Sequence, residues 1–169
     1  ANAFANMLEW LLFTVRYFEK RPDLQLVIRV HPAEIRGSVP TRQPVMAELK
    51  KYFPTLPSNV FVVAPESNVS TYVLSELCDA VLIYGTKTGV ELASVGIPVI
   101  VAGEAWIRNK GLSSDANSVA GYQALLDADI PLGGFLSALA TEIGVTAGTY
   151  GDLLAAQGAA DRLIAEIFP

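Results

Sequence analysis

Short runs of β-branched and aliphatic residues recur along the chain up to Gly103, and polar segments containing proline or glycine separate them. The run L-Q-L-V-I-R-V-H-P at residues 24–32 shows this best, because apolar side chains predominate before its closing proline. Continuous apolar runs of this length are typical of strands that are buried on both faces of a parallel sheet. The strands predicted in this way cover residues 24–32, 59–65, 79–85 and 98–102.

The segments around these strands have the spacing of amphipathic helices. Residues 3–20 place apolar side chains three and four positions apart, which is the period of a helix with one buried face. Pro44 and the Ser70-Thr71 pair are suited to the starts of two later helices, and Gly96 is suited to a left-handed helix end. The helices predicted here cover residues 3–20, 44–52, 70–77 and 86–95, and residues 33–43 are predicted to form a loop.

The pattern changes after Gly103. Residues 104–117 are polar and irregular, and helices are predicted for residues 118–128, 132–144 and 151–168. Strands that alternate with helices through short connections favour a parallel sheet with right-handed crossovers. The prediction is therefore one Rossmann-like α/β domain over residues 1–169, with an open parallel sheet of about four strands, helices on both faces and a helical C-terminal third.

Composition narrows the function classes. The 169 residues are 51% hydrophobic and 17% charged, enough for one sizeable core, and the net charge of −5 disfavours a nucleic-acid surface. The longest apolar segment, residues 4–18, contains Glu9 and Arg16 and is shorter than the roughly 20 residues of a membrane span. Cys78 is the one cysteine, so we expect a small core residue and no disulfide within the chain. With one histidine as well, no metal site is expected.

Polar and ionisable residues are concentrated where the predicted strands end. In an open parallel sheet, ligands bind beyond the carboxyl ends of the strands, so this distribution indicates a site there. Arg29 and His31 lie at the end of the first predicted strand and Glu66 follows the second. Gly103 and Glu104 follow the fourth.

The end of the third strand has the sequence G-T-K-T-G at residues 85–89. Gly85 and Gly89 would allow close backbone approach, Thr86 and Thr88 offer hydroxyls, and Lys87 adds a positive charge, a combination that suits a phosphate. A threonine that caps a helix, followed by a solvated lysine, explains the same residues without a ligand. The segment matches neither G-x-x-x-x-G-K-[ST] nor G-x-G-x-x-G.

Three further side chains have both a binding and a structural interpretation. Glu91 could accept two ribose hydroxyls, or it could simply be a favourable charge near a helix N-terminus. His31 could donate to a phosphate or transfer a proton, with Arg29 on the same side of the strand, or it could be a satisfied structural histidine. Trp106 could stack on a base or sugar, or it could cover the edge of the sheet. Arg108 and Lys110, in the same loop, could contact phosphates.

These residues in this order resemble a known family. The segments I-R-V-H-P, T-K-T-G-V-E-L-A-S-V-G-I-P-V-I-V-A-G and E-A-W-I-R-N-K-G-L-S are similar to the C-terminal half of bacterial capsule polysaccharide biosynthesis proteins, and more broadly to GT-B glycosyltransferases and sugar-nucleotide 2-epimerases. The resemblance covers roughly residues 24–114.

The resemblance implies roles for individual residues. His31 would match the His-Pro motif that contacts the nucleotide phosphate, and Thr86 and Thr88 would match the serine/threonine pair that does likewise. The family often has serine at one of these two threonine positions, and the hydroxyl is kept here. Glu91 would match the acidic residue that holds the ribose. Arg29, Glu66, Gly103, Glu104, Trp106 and Arg108 are candidates for further contacts.

The resemblance also implies a function. The chain would be the C-terminal half of a two-domain glycosyltransferase of capsule or surface polysaccharide biosynthesis, and it would bind a CMP- or UDP-linked sugar donor without a resident cofactor. The acceptor and the catalytic base would lie in a missing N-terminal half, so this fragment alone is expected to be inactive. The expected location is the cytoplasm or the inner face of the membrane, which the full-length protein would contact peripherally. A sugar-nucleotide 2-epimerase and a non-catalytic α/β interaction module remain the alternatives.

Overall fold

The computed structural model describes residues 2–36, 41–129 and 136–142. The strands in these ranges are β1 Leu26–Val30, β2 Val60–Val63, β3 Cys78–Ile83, β4 Val99–Val101, β5 Ser114–Asp115 and β6 Leu136–Glu142. The helices in them are α1 Met7–Glu19, α2 Ala33–Arg36, α3 Val45–Tyr52, α4 Thr71–Glu76, α5 Thr88–Ser94 and α6 Val119–Asp129. None of these helices has the length and apolar character needed to cross a membrane.

The strands form one sheet in the order β2-β1-β6-β3-β4-β5, and each neighbouring pair is parallel. Successive residues of β1 face opposite sides of the sheet, as the pleat requires. Leu26 and Ile28 pack with α1, α3 and α6 in one cluster, whereas Val27 packs in a second cluster that includes residues of α4 and α5. Helices therefore cover both faces, and the prediction of a Rossmann-like open parallel sheet is confirmed.

Most of the predicted elements are present with slightly shorter bounds. The strands predicted at residues 24–32, 59–65, 79–85 and 98–102 correspond to β1 to β4, and Gly96 has the predicted positive φ, of 85°. Two short elements were missed, since α2 lies in the predicted loop 33–43 and β5 lies in the segment predicted to be irregular. Both elements are four residues or shorter, which is too short for hydrophobic periodicity to reveal.

The helix predicted at residues 132–144 is wrong, because residues 136–142 form β6. This strand lies between β1 and β3, with Leu26 opposite Ala138 on one side and Ala80 opposite Ala138 on the other. Alanine and leucine favour a helix by intrinsic propensity, but the backbone groups of β1 and β3 need partners in the middle of the sheet. The sheet therefore has six strands in the described ranges instead of about four. The helix at 118–128 is confirmed as α6, and the one predicted at 151–168 lies outside the described residues.

A buried hydrogen-bond network joins α1 to α6. The indole Nε1 of Trp10 donates to the hydroxyl oxygen of Tyr122 at 2.9 Å, and the hydroxyl of Thr14 lies 3.0 Å from the same oxygen. All three side chains are at most 1% exposed. Burial is the main reason why the pKa of Tyr122 is raised, so this phenol remains protonated and continues to accept the Trp10 bond.

Candidate functional site

The carboxyl edge of the sheet, where the parallel strands end, contains a point at which the strand order reverses. From β1 the chain moves outward to β2, whereas from β3 it moves outward to β4 and β5 on the opposite side. Connections that leave in opposite directions open a crevice at the strand ends between them, which is where open α/β sheets bind ligands. β6 fills the position between β1 and β3, so its last residue, Glu142, whose backbone pairs with Val30, lies at the crevice. No sequence pattern had indicated this residue.

His31 follows β1 directly and is held in a defined orientation. Its Nδ1 accepts a hydrogen bond from the backbone N–H of Ala33 at 2.9 Å, at the first turn of α2. Partial burial, and then the positive charge of Arg29, lower the pKa of His31, which favours the neutral ring near pH 7. Because Nδ1 is the acceptor, the proton of the neutral ring is on Nε2, so this nitrogen is a hydrogen-bond donor.

Arg29 is only 4% exposed and has a structural role at the same edge. Its Nη1 donates to the carbonyl oxygen of Ala64 at 2.9 Å, and its Nη2 donates to the carbonyl oxygen of Ser67 at 3.1 Å. These bonds connect the end of β1 to the loop after β2. Burial lowers the pKa of this guanidinium, as does the charge of Arg36. We conclude that Arg29 supports the edge and adds positive potential beneath it.

Thr86 and Thr88 lie together after β3. Their hydroxyl oxygens are 3.2 Å apart, and the backbone N–H of Thr88 is 3.4 Å from the Thr86 Oγ1. The latter bond is long, so Thr86 is at most a weak cap for α5. Both side chains are partly exposed, and together they present two hydroxyls at one point of the carboxyl edge.

The glycines of this region are explained by packing between protein segments. A Cβ at Gly85 would lie 2.9 Å from the carbonyl oxygen of Glu104, and one at Gly103 would lie 2.5 Å from the carbonyl oxygen of Tyr84. The segments after β3 and β4 therefore approach each other closely, backbone against backbone. Gly89 is buried, and its Cβ would collide with the side chain of Ile83. The sequence had suggested glycine for approach to a ligand, and the structure supplies a protein neighbour at each position.

Glu91 has a partner that the sequence did not reveal. The hydroxyl of Tyr72, on α4, donates to Glu91 Oε2 at 2.5 Å. Glu91 lies one helical turn after Thr88, so the carboxylate and the two threonine hydroxyls are on neighbouring parts of α5 and its entry loop. The bond from Tyr72 restricts the rotamer of Glu91 and fixes one of its two oxygens. A tyrosine in a helix does not by itself indicate a hydrogen bond to a residue of another helix, so no sequence signal indicated the pairing of Tyr72 with Glu91.

Lys87 and Trp106 contact each other across the loops that follow β3 and β4. The Lys87 Nζ lies 5.1 Å from the centroid of the Trp106 ring, within the range of a cation–π interaction. Both side chains are exposed, and the indole retains 69% of its accessible surface. Lys87 lies between the two threonines in the sequence, so the indole that it contacts is close to the threonine pair.

The remaining candidates lie at the same edge but differ in role. Arg108 is 5% exposed and donates to the carbonyl oxygens of Gly103 and Ala116 at 2.9 and 2.6 Å, so it joins the ends of β4 and β5. A further bond, from Nη2 to the side-chain Oδ1 of Asn117 at 2.7 Å, supports this structural role, and the contact of Arg108 with a phosphate stays a prediction. Glu66 and Glu104 are both exposed.

Glu34 was not identified from the sequence. Its Oε1 accepts from the backbone N–H of Val45 at 2.6 Å, which ties α2 to the start of α3. Its Oε2 is buried without a hydrogen-bond partner among the described residues. Burial raises the pKa of this carboxyl, the bond from Val45 lowers it, and the nearby charge of Glu66 raises it.

A separate cleft of about 260 Å³ lies between the first turns of α1 and α3. Its walls are mainly apolar, with polar side chains at the rim, and include Met7, Leu11, Val45, Asn6, Gln43 and Glu48. None of the residues predicted to bind a ligand lines this cleft. We use the term carboxyl-edge site for His31, Thr86, Thr88 and Glu91.

Comparisons with known proteins identify the family of this chain. Residues 2–132 match the family described as Capsule polysaccharide biosynthesis protein. Residues 112–167 match a second family, described as Domain of unknown function (DUF8293). Neither the curated proteins nor the solved structures contain a significant match.

Proposed function

Because this chain belongs to the capsule polysaccharide biosynthesis protein family, we propose that its carboxyl-edge site binds the nucleotide-sugar donor of a glycosyltransferase. The chain would form the donor-binding half of a two-domain, GT-B-like enzyme in capsule or surface polysaccharide synthesis. The observation that supports this proposal best is the placement of His31 and the Thr86–Thr88 pair on either side of β6, where the strand order reverses.

The spacing of the strands suits nucleotide phosphate groups that are held between two strand ends. β1 and β3 are separated by β6, and neighbouring strands lie about 4.8 Å apart, so the ends of β1 and β3 are roughly 10 Å apart. In our proposal the Nε2–H of His31 and the two threonine hydroxyls donate to phosphate oxygens from opposite sides of the crevice. The buried guanidinium of Arg29 increases the positive potential at this edge.

Glu91 would then bind the ribose. A carboxylate can accept hydrogen bonds from two neighbouring hydroxyls, and the Tyr72 hydroxyl already holds one of its oxygens in place. Fixing the rotamer before binding lowers the entropic cost of association. The ribose would lie next to α5, with the phosphates directed towards the crevice.

Calorimetric titration of the 169-residue chain with CMP, UDP and their sugar conjugates tests this proposal. We expect binding at millimolar concentration or tighter for at least one nucleotide, and weaker binding after replacement of Thr86 and Thr88 by valine. Each lost charge-assisted hydrogen bond is worth about 1.5 kcal/mol, or roughly a tenfold change in Kd. Thr55→Val is the matched control, because Thr55 is exposed and precedes β2 at the opposite edge of the sheet. The absence of binding to every nucleotide at millimolar concentration would contradict the proposal.

A further inference from the structure

Trp106 is the most exposed of the large hydrophobic side chains in the described ranges, at 69%. The two residues that follow it are buried, with Ile107 at 1% and Arg108 at 5% exposure. Exposure of an indole forgoes the favourable burial that tryptophan usually contributes to folding. This indole is therefore exposed although the residues after it are buried, and most of its surface is accessible to a ligand.

The turn that contains Trp106 is attached to the sheet by the two residues that follow it, Ile107 and Arg108. Ile107 packs in the cluster between the sheet and α5, where a Cβ on Gly89 would lie 3.4 Å from its Cγ2. The Arg108 side chain donates to the carbonyl oxygens of Gly103 and Ala116, and its backbone N–H donates to the Ala105 carbonyl oxygen at 3.0 Å. The backbone of Trp106 is thus held in place before any ligand arrives, which reduces the entropy lost on binding.

The contact with Lys87 places this indole beside the carboxyl-edge site. Lys87 lies between the two threonines and four residues before Glu91, so both Lys87 and Glu91 are on the same side of α5. Since the ring keeps more than half of its surface, at least one of its two faces is open to solvent. An aromatic face of this kind stacks on nucleic-acid bases of any identity, because each base has a π-face.

We propose that Trp106 is the stacking platform for the base of the bound nucleotide. This inference rests on the proposed function and adds the orientation of the bound nucleotide. The nucleotide would lie along the carboxyl edge, with its base on Trp106 after β4, its ribose at Glu91 on α5 and its phosphates between β3 and β1. Lys87 would then hold the indole through the cation–π contact, and the threonine hydroxyls would be the main phosphate donors of the β3 loop.

Tryptophan fluorescence can test the stacking directly, because the chain has two tryptophans in very different environments. Trp10 is 1% exposed and hydrogen-bonded to Tyr122, so nucleotides have no access to it. The difference between the spectra of the wild-type chain and of Trp106→Phe isolates the signal of Trp106. We expect CMP or UMP to quench this signal at the concentrations at which calorimetry detects binding. Ribose 5-phosphate, which lacks a base, should bind without quenching.

Substitution of Trp106 tests how much the stacking contributes to affinity. Trp106→Ala should weaken binding of CMP or UMP by about tenfold to hundredfold, since a stacked base contributes about 1–3 kcal/mol. It should leave the weaker binding of ribose 5-phosphate unchanged within about twofold. Leu112→Ala is the matched control, because Leu112 is an exposed apolar residue of the same loop, at 63%. We expect no effect of this control on either ligand.

The outcomes separate the inference from the proposed function. Nucleotide binding by calorimetry without quenching of Trp106, or with equal affinity in Trp106→Ala, would overturn the stacking role and leave the donor site intact. Equal losses of affinity in Trp106→Ala and Leu112→Ala would also overturn it. Failure of the wild-type chain to bind any nucleotide would remove both proposals together.

Discussion

In the proposed function the two nitrogens of His31 have different roles, since Nδ1 accepts the bond from the Ala33 N–H and Nε2 donates to a phosphate. Substitutions that keep one nitrogen position at a time therefore separate the structural role from the binding role. Asparagine places its Oδ1 near the position of Nδ1, and it can still accept the bond from the Ala33 N–H. Glutamine places its amide nitrogen near the position of Nε2, and it can still donate to a phosphate. We therefore expect His31→Asn to retain stability and lose affinity, and His31→Gln to show the opposite pattern.

The magnitudes follow from the kind of bond that each variant removes. The bond between the Ala33 N–H and Nδ1 is neutral and partly buried, so its loss in His31→Gln should cost about 0.5–1.5 kcal/mol of unfolding free energy. A hydrogen bond from Nε2 to a phosphate is charge-assisted and worth about 1.5–3 kcal/mol. Its loss in His31→Asn should raise the Kd for CMP or UDP about tenfold to hundredfold.

The pH dependence of stability provides a second measure of the same side chain. Burial and Arg29 lower the pKa of His31 in the folded chain below the value of about 6.5 expected when it is unfolded. As the pH falls below about 6.5, the unfolded chain therefore binds a proton first, and the folded state loses stability relative to it. His31 is the only histidine of the chain. His31→Asn should remove this loss of stability.

Urea unfolding between about pH 5.5 and 7.5, with calorimetric titration on the same preparations, checks these expectations. If His31→Asn binds nucleotide as tightly as the wild-type chain, then Nε2 does not contact the phosphate. If His31→Gln is as stable as the wild-type chain at pH 7, the Ala33 bond does not contribute to folding. An identical pH dependence of the wild-type chain and His31→Asn would refute the assignment of a lowered pKa to His31.

Three further predictions concern the supporting structure. Gly103→Ala should lower the unfolding free energy by about 1–3 kcal/mol, because the added Cβ would overlap the carbonyl oxygen of Tyr84. A urea titration with the same midpoint as the wild-type chain would contradict this prediction. Tyr122→Phe should lower the unfolding free energy by about 1–3 kcal/mol in the same assay, because it leaves the buried Trp10 N–H without its acceptor. An unchanged unfolding free energy would show that this hydrogen bond makes no net contribution to stability. Burial and the neighbouring Asp79 charge raise the pKa of the Cys78 thiol to about 12. Iodoacetamide at pH 8 should therefore modify Cys78 only at the rate at which the chain opens, and rapid labelling of the folded chain would contradict this.

The sequence by itself located the main elements and the edge of the sheet on which the candidate site residues lie. The runs that became β1 to β4 are apolar because those strands are buried, and this signal is local. Their polar ends placed His31, Thr86, Thr88 and Glu91 at one edge, because parallel strands all end on the same side. Family membership was also visible in local motifs, and it is confirmed over residues 2–132.

Only the tertiary structure decided which residues meet. The central place of β6 arises from the hydrogen-bonding needs of β1 and β3, which outweigh the helical propensity of residues 136–142. Arg29 and Arg108 had the sequence features of ligand-binding cations, and the fold directs both at backbone carbonyls. The bond between Tyr72 and Glu91 joins two helices that the sequence separates by a strand. Each of these contacts depends on strand order, a long-range property that no window of local sequence contains.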